Sequence, residues 1–187
     1  MEILEAIKKR RSIRKYKAIP VDDESIGVVL EAARWAPSWK NTQCWRFIVV
    51  RDDKIKAQLA DTLWFNPPTL CNPSIGAIRE APVVIVACAE LGKAGYRDGK
   101  VATDKGDWFM FDVALAMQNL VLTACSLGLG TVHVGGFDAK KAASILEVPQ
   151  GFCVVEMTPL GYPDEEPETR PRRGLSESVF YDKYGVR

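Results

Sequence analysis

Arg10, Arg11 and Arg14, with Ser12 among them, place three guanidinium groups and a hydroxyl within five residues. Such a set suits the oxygens of a phosphate dianion, because each planar guanidinium can donate two parallel N–H bonds. The same run reads equally as a solvated basic face or a nucleic-acid patch. A second cluster, Arg170-Pro171-Arg172-Arg173, lies at the far end of the chain. The 187 residues hold 25 basic and 24 acidic side chains, a net charge of +1. No overall field therefore favours nucleic acid or a membrane surface. In a chain of balanced charge, two arginine clusters invite convergence on one anion; a disordered basic tail is the other reading.

Two further groups offer polar contacts to a flat ligand. Pro37-Ser38-Trp39-Lys40-Asn41-Thr42-Gln43 leaves a helix and precedes a buried strand, so Asn41 and Gln43 can present donors and acceptors to a heterocycle edge or serve as turn chemistry. Gly128-x-Gly130 and Gly135-Gly136 let backbone approach a ligand closely. Neither is a dinucleotide fingerprint, which needs a strand before its glycines, and no phosphate-binding GxxxxGK[ST] occurs. His133 is the sole histidine, which argues against a histidine-rich metal site, and no metal is expected. The five cysteines (Cys44, Cys71, Cys88, Cys125 and Cys153) show no CxxC pair and read as small buried hydrophobes. An odd count, a charged N-terminus without an apolar core and no run of roughly 18 apolar residues point to the cytoplasm and away from a membrane.

The elements that must position these groups follow from periodicity. Glu2 to Lys9 reads as a short helix with Ile3, Leu4 and Ile7 on one face, and a second helix starts at Asp22 or Asp23 and carries the stripe Ile26, Val29, Leu30 and Ala33. WRFIVV at 45–50 reads as a strand, 53–64 as a helix, 64–72 as a proline-rich loop and 74–79 as a short helix. PVVIVAC at 82–88 reads as a buried strand and 91–105 as a mobile surface segment. The stretch 107–127 is a helix apolar around most of its circumference, fit for a subunit interface, a core position or both. Gly128 is its left-handed cap. A strand TVHV, a glycine turn, a helix at 139–146, a strand at 151–161 and an extended tail at 163–174 complete an α+β layered chain without repeats or linkers.

Taken in order, RRSIRKY, APSWKNTQCWRF, the apolar strand after Ala81-Pro82, the helix ending in LGLGT, VGGFD and RPRRGLSE resemble the nitroreductase family of flavoproteins over nearly the whole chain. The resemblance implies an α+β layered fold with a central, mostly antiparallel sheet flanked by helices, one FMN-binding domain over 1–187, and an intertwined homodimer with FMN at its interface. By motif position, Arg10, Arg11 and Ser12 meet the phosphate and ribityl end, and Arg170 and Arg172 complete the phosphate cage. Arg14 lies nearer the flavin pyrimidine, where it stabilises the charge of the reduced ring. Pro37, Ser38 and Asn41 flank the ring from the other subunit, and Asn72 is a candidate for the pyrimidine edge. Gly135 offers its N–H toward flavin N5, with Gly136 beside it, so Arg14 and Gly135 are the expected catalytic residues.

The implied activity is ping-pong electron transfer from NAD(P)H to nitroaromatic, quinone or related small acceptors. A flavin-fragmenting or reductively dehalogenating relative and a non-catalytic flavin-binding redox module are the alternatives; a nucleic-acid binder has the charge balance against it. Two positions depart from the family pattern: Cys44, where proline is frequent, and His133, where an aromatic residue is. Tyr96, Trp108 and Phe109 lie in a segment that often covers the ring and are candidate substrate contacts.

Overall fold

A computed structural model describes residues 1–64 and 72–187. The helices are α1 (Ile3–Lys9), α2 (Asp23–Arg34), α3 (Asp53–Ala60), α4 (Ser74–Glu80), α5 (Phe109–Ser126) and α6 (Ala139–Ile145). The strands are β1 (Trp45–Val50), β2 (Val83–Glu90), β3 (Tyr96–Arg97), β4 (Lys100–Val101), β5 (Gly130–Thr131) and β6 (Phe152–Gly161). Most of the proline-rich loop expected at 64–72, with Pro67, Pro68 and Cys71, lies outside the described residues.

Four strands form one antiparallel sheet in the order β1-β2-β6-β5. Its centre is β2, whose VVIVACA run is buried on both faces, as the unbroken apolar sequence requires. Alternate residues of β2 serve two cores, since successive side chains of a strand point to opposite faces. Val84, Val86 and Cys88 join Met157 and Val154 under the face covered by α3, α4 and α6. Val83, Ile85, Ala87 and Ala89 face α2 and α5. A bulge between Ala87 and Cys88 shifts the register against β6. The result is the layered α+β architecture with a mostly antiparallel sheet that the sequence implies.

The helix signals act as read. Asp22 caps α2, its carboxylate accepting from Ser25 N at 2.7 Å. Ile26, Val29 and Ala33 are buried. α5 buries Asp112, Val113, Ala116, Met117, Leu120, Val121 and Ala124 along one side, while Met110 and Phe111 stay exposed. Contrary to the sequence expectation, α5 is long and apolar enough by composition to cross a membrane; in this fold it packs against α2 and the sheet as a core helix. Gly128 follows it with φ 76°, the left-handed conformation expected of the cap.

Three boundaries differ from the sequence reading. The helix expected to reach residue 64 ends at Ala60, because Thr62 turns its hydroxyl back onto the Leu59 carbonyl at 2.6 Å and Leu63 bridges to Phe137. The strand expected over TVHV is paired only at Gly130–Thr131, with Val134 bridging separately to Met157. The segment 91–105 holds the β3–β4 hairpin, which Gly95 and Trp108 pin to the start of α5: Trp108 N donates to Ala94 O, and Ala102 N to Gly95 O.

Candidate functional site

After α1 the chain runs extended, and a short parallel bridge ties Ser12 to Thr131 of β5. Ile13 N donates to Thr131 O at 2.9 Å. Alternation then buries Ile13 and turns the flanking Ser12 and Arg14 outward. Ile13 lies so close to Gly130 that a Cβ there would sit 2.8 Å from its Cγ1 and 2.9 Å from its Cβ and Cγ2. The sequence reading gave Gly130 to ligand approach; its bare backbone instead seats Ile13. The C-terminal tail lies alongside. Tyr16 bridges to Pro163, Lys17 N donates to Tyr162 O, Asp164 N donates to Lys15 O, and the Glu165 carboxylate accepts from Arg14 N and Lys15 N.

This strapping brings the two arginine clusters together. Arg10, Arg11, Ser12 and Arg14 line one cavity of about 270 Å³ with Arg170 and Arg172, and Pro167, Glu168 and Thr169 complete the wall. Five arginines and one acidic residue, Glu168, thus line the cavity. Arg11 is fixed by bonds to Lys8 O at 2.6 Å and Arg10 O at 2.9 Å and by Thr169 Oγ1. Arg14 Nε is buried with no hydrogen-bond partner among the described residues. The arginine ion pairs among those residues belong to Arg34, Arg46, Arg51, Arg79 and Arg97 instead. Arg10 and Arg11 also line a larger adjoining cavity of about 880 Å³, walled by Cys125, Leu129, Gly130 and Thr131.

The other expected residues lie outside both cavities. Pro37, Ser38 and Asn41 belong to a tight turn in which Lys40, Asn41 and Gln43 all adopt positive φ (44°, 57° and 47°). Ser38 Oγ accepts from Gln43 N at 3.0 Å, and Asn41 Oδ1 accepts from Gln43 Nε2 at 3.1 Å. The side chain of Asn72 is engaged on both sides, donating to Trp64 O and accepting from Ser74 N, each at 3.0 Å. Gly135 and Gly136 are exposed, and neither N–H meets an acceptor among the described residues. The Gly136 carbonyl accepts from Trp64 N.

One residue that the sequence reading missed organises the turn. Asp112 is 1% exposed, and its two carboxylate oxygens accept from Trp39 N at 3.1 and 3.0 Å. The Cys44 thiol donates to the same group at 3.9 Å. Burial raises the Asp112 carboxyl above its usual range, while the Trp39 N–H and the thiol favour its ionised form. Above it Trp39 packs on Trp108 (5.7 Å between ring centroids), and Trp108 meets Phe111 edge-on at 5.1 Å. The available signal was a lone acid in the apolar run FMFDVALAM.

His133 stands outside the paired strand with Nδ1 2.5 Å from Glu156 Oε1, which also accepts from Thr158 Oγ1 at 2.8 Å. Cys44 and Cys88 are buried, as expected of small hydrophobes, whereas Cys125 and Cys153 are only half-buried. Burial, then the nearby Asp112 charge, pushes the Cys44 thiol up to about 12; burial, then Cys153, pushes Cys88 up to about 11. In native protein at about pH 8, alkylation of Cys44 is expected to run about a thousandfold slower than after unfolding, since only the thiolate reacts. Peptide mass spectrometry after timed iodoacetamide treatment checks this; equal rates in native and unfolded protein contradict the buried placement.

The model of the family described as "Nitroreductase family" matches residues 7–162. A "Putative NADH dehydrogenase/NAD(P)H nitroreductase" of Methanothermobacter thermautotrophicus is 34% identical, over 91% of this chain and 82% of its own. Among solved structures, a nitroreductase family protein from Clostridium novyi NT is 33% identical with a TM-score of 0.78, covering 100% of this chain and 96% of its own. An NADPH:FMN oxidoreductase from Vibrio harveyi, solved with NAD+, is 27% identical with a TM-score of 0.82, covering 99% and 79%.

Proposed function

The chain belongs to the nitroreductase family, and from that premise we propose that it is an FMN-dependent NAD(P)H oxidoreductase that reduces nitroaromatic, quinone or related small acceptors by a ping-pong route. The carrying observation is the cavity that unites Arg10, Arg11, Ser12 and Arg14 with Arg170 and Arg172 from the other end of the sequence. The donor set fits FMN. Its phosphate is a dianion, Arg10, Arg11, Arg170 and Arg172 line the cavity for it, and Arg14 Nε is a buried donor for the ring, still without an acceptor among the described residues. Names of further relatives, NADPH-flavin oxidoreductase and FMN reductase [NAD(P)H], support the same cofactor pair.

When bound, FMN supplies the relay of an electron pair between a reduced nicotinamide and an acceptor. The protein's part is binding, orientation and electrostatics. Arg10, Arg11 and Ser12, with Arg170 and Arg172, hold the phosphate and ribityl end. Arg14 places a fixed positive charge where negative charge gathers on reduction. The unengaged N–H groups of Gly135 and Gly136 are donors for the ring, and Ser38 and Asn41, backed by Pro37, serve it from a second subunit. Asn72 is the weakest member of the set, because its amide is already engaged.

The whole chain, 1–187, is read as one FMN-binding unit that functions as a homodimer. Ile3, Leu4 and Ile7 of α1, expected to bury one face, are exposed, as are Met110 and Phe111 of α5. An uncovered apolar surface of this kind marks an interface. Light scattering is expected to return twice the chain mass, and Leu4→Asp with Ile7→Asp to shift it toward the monomer.

The purified chain is expected to be yellow, or to become so with added FMN, and to bleach anaerobically with NADH or NADPH. Failure to take up FMN contradicts the reading. Uptake without bleaching by either nicotinamide leaves a passive flavin binder in its place.

A further inference from the structure

We infer that Asp112 is a positioning residue for the flavin ring: from the first turn of α5 it holds the Ser38–Asn41 turn in the shape that presents Ser38 and Asn41 to the cofactor. This rests on the reading of those two residues as ring contacts.

The turn does not hold its shape unaided. Lys40, Asn41 and Gln43 carry positive φ, a region that is strained for an L-residue. Such a backbone persists only where its surroundings over-determine it. Within the turn, Ser38 Oγ to Gln43 N and Asn41 to Gln43 supply part of that constraint. Arg46 Nη1 of β1 donates to Gln43 O at 3.1 Å at the far end of the turn; the tie at its start is Asp112, which receives Trp39 N on both oxygens and the Cys44 thiol from the strand side. Keeping a carboxylate at 1% exposure is costly unless its oxygens are bonded, so the contact is held from both ends. The aromatic stack of Trp39 on Trp108 adds the β3–β4 hairpin to the same unit. Asp112 thus ties the turn to the start of α5, and Trp108 ties the hairpin to both.

The test compares Asp112→Leu, which keeps the side-chain shape and removes the acceptors, with Asp112→Asn, which keeps an acceptor for Trp39 N–H. Two quantities are read: amide exchange across 36–44 in the FMN-free protein, and FMN affinity together with the visible circular dichroism of the bound flavin. Asp112→Leu is expected to lose exchange protection over 39–43, to weaken FMN binding by about tenfold or more and to change the flavin dichroism, as a displaced ring contact requires. Asp112→Asn is expected to stay close to the parent in both. Protection retained in Asp112→Leu overturns the inference; so does lost protection with unchanged affinity and dichroism. Should the leucine variant not fold, Asp112→Ala is read by the same measurements. A parent chain that takes up no FMN contradicts the functional reading itself and is established before any variant is made.

Discussion

Replacing Arg10 with alanine is expected to weaken FMN binding by more than about 1.5 kcal/mol, roughly tenfold in Kd, the scale of a charge-assisted hydrogen bond. The size of the effect follows from the neighbours. Arg11 already spends its guanidinium on Lys8 O, Arg10 O and Thr169. Arg10 faces the same cavity without an ion pair among the described residues, so its charge is available to a ligand. Riboflavin, which has the ring but no phosphate, provides the control: its affinity is expected to change little in the same variant. Equal losses for FMN and riboflavin would place Arg10 at the ring, and unchanged FMN affinity would refute the phosphate assignment. By mass action alone, FMN at about 100 times its Kd should stabilise the fold by about 2.7 kcal/mol, read as a rise in Tm.

Gly130→Ala is expected to cost stability and FMN affinity together. The added methyl lands 2.8–2.9 Å from three atoms of Ile13, one of them its Cβ, so no rotamer of Ile13 clears it and backbone has to move. Overpacking of this kind costs about 1–3 kcal/mol. The backbone that gives way is the one between Ser12 and Arg14, whose bond from Ile13 N to Thr131 O fixes the arginine segment on β5. Gly27→Ala is the contrast: it lies within α2 with nothing within 4 Å of the new methyl, and alanine is the better helix former by about 0.5–1 kcal/mol. Urea melts paired with FMN titrations separate the two. If Gly130→Ala binds FMN as the parent does, the close contact does not position the arginines.

What the sequence made legible was local or compositional. The α2 stripe and its Asp22 cap depend on spacings of three and four residues, and they appear as read. β2 is buried on both faces, and its sequence is apolar without interruption. Even the meeting of the two arginine clusters was arguable from the near-zero net charge, beside the reading of the second as a disordered basic tail. Contacts through space were not legible. Gly130 looks like any glycine available to a ligand until Ile13 is seen against it. Asp112 breaks an apolar pattern, but nothing in the pattern says that its partners are Trp39 and Cys44, some seventy residues earlier. The left-handed turn at 40–43 uses lysine, asparagine and glutamine rather than glycine, so no residue announces it. The ends of α3 and β5 were misread because single tertiary contacts, Leu63 with Phe137 and Val134 with Met157, decided them.

With the cavity read as a phosphate cage, its walls come from both ends of the polypeptide: Arg10 to Arg14 near the start, Arg170 and Arg172 near the finish. During translation the first set leaves the ribosome well before the second. Assembly of the full cage therefore waits until residue 172 has been made. A product of termination before residue 170 would contain every described strand of the sheet and still lack two of the arginines, so flavin content would report on chains that extend past residue 172.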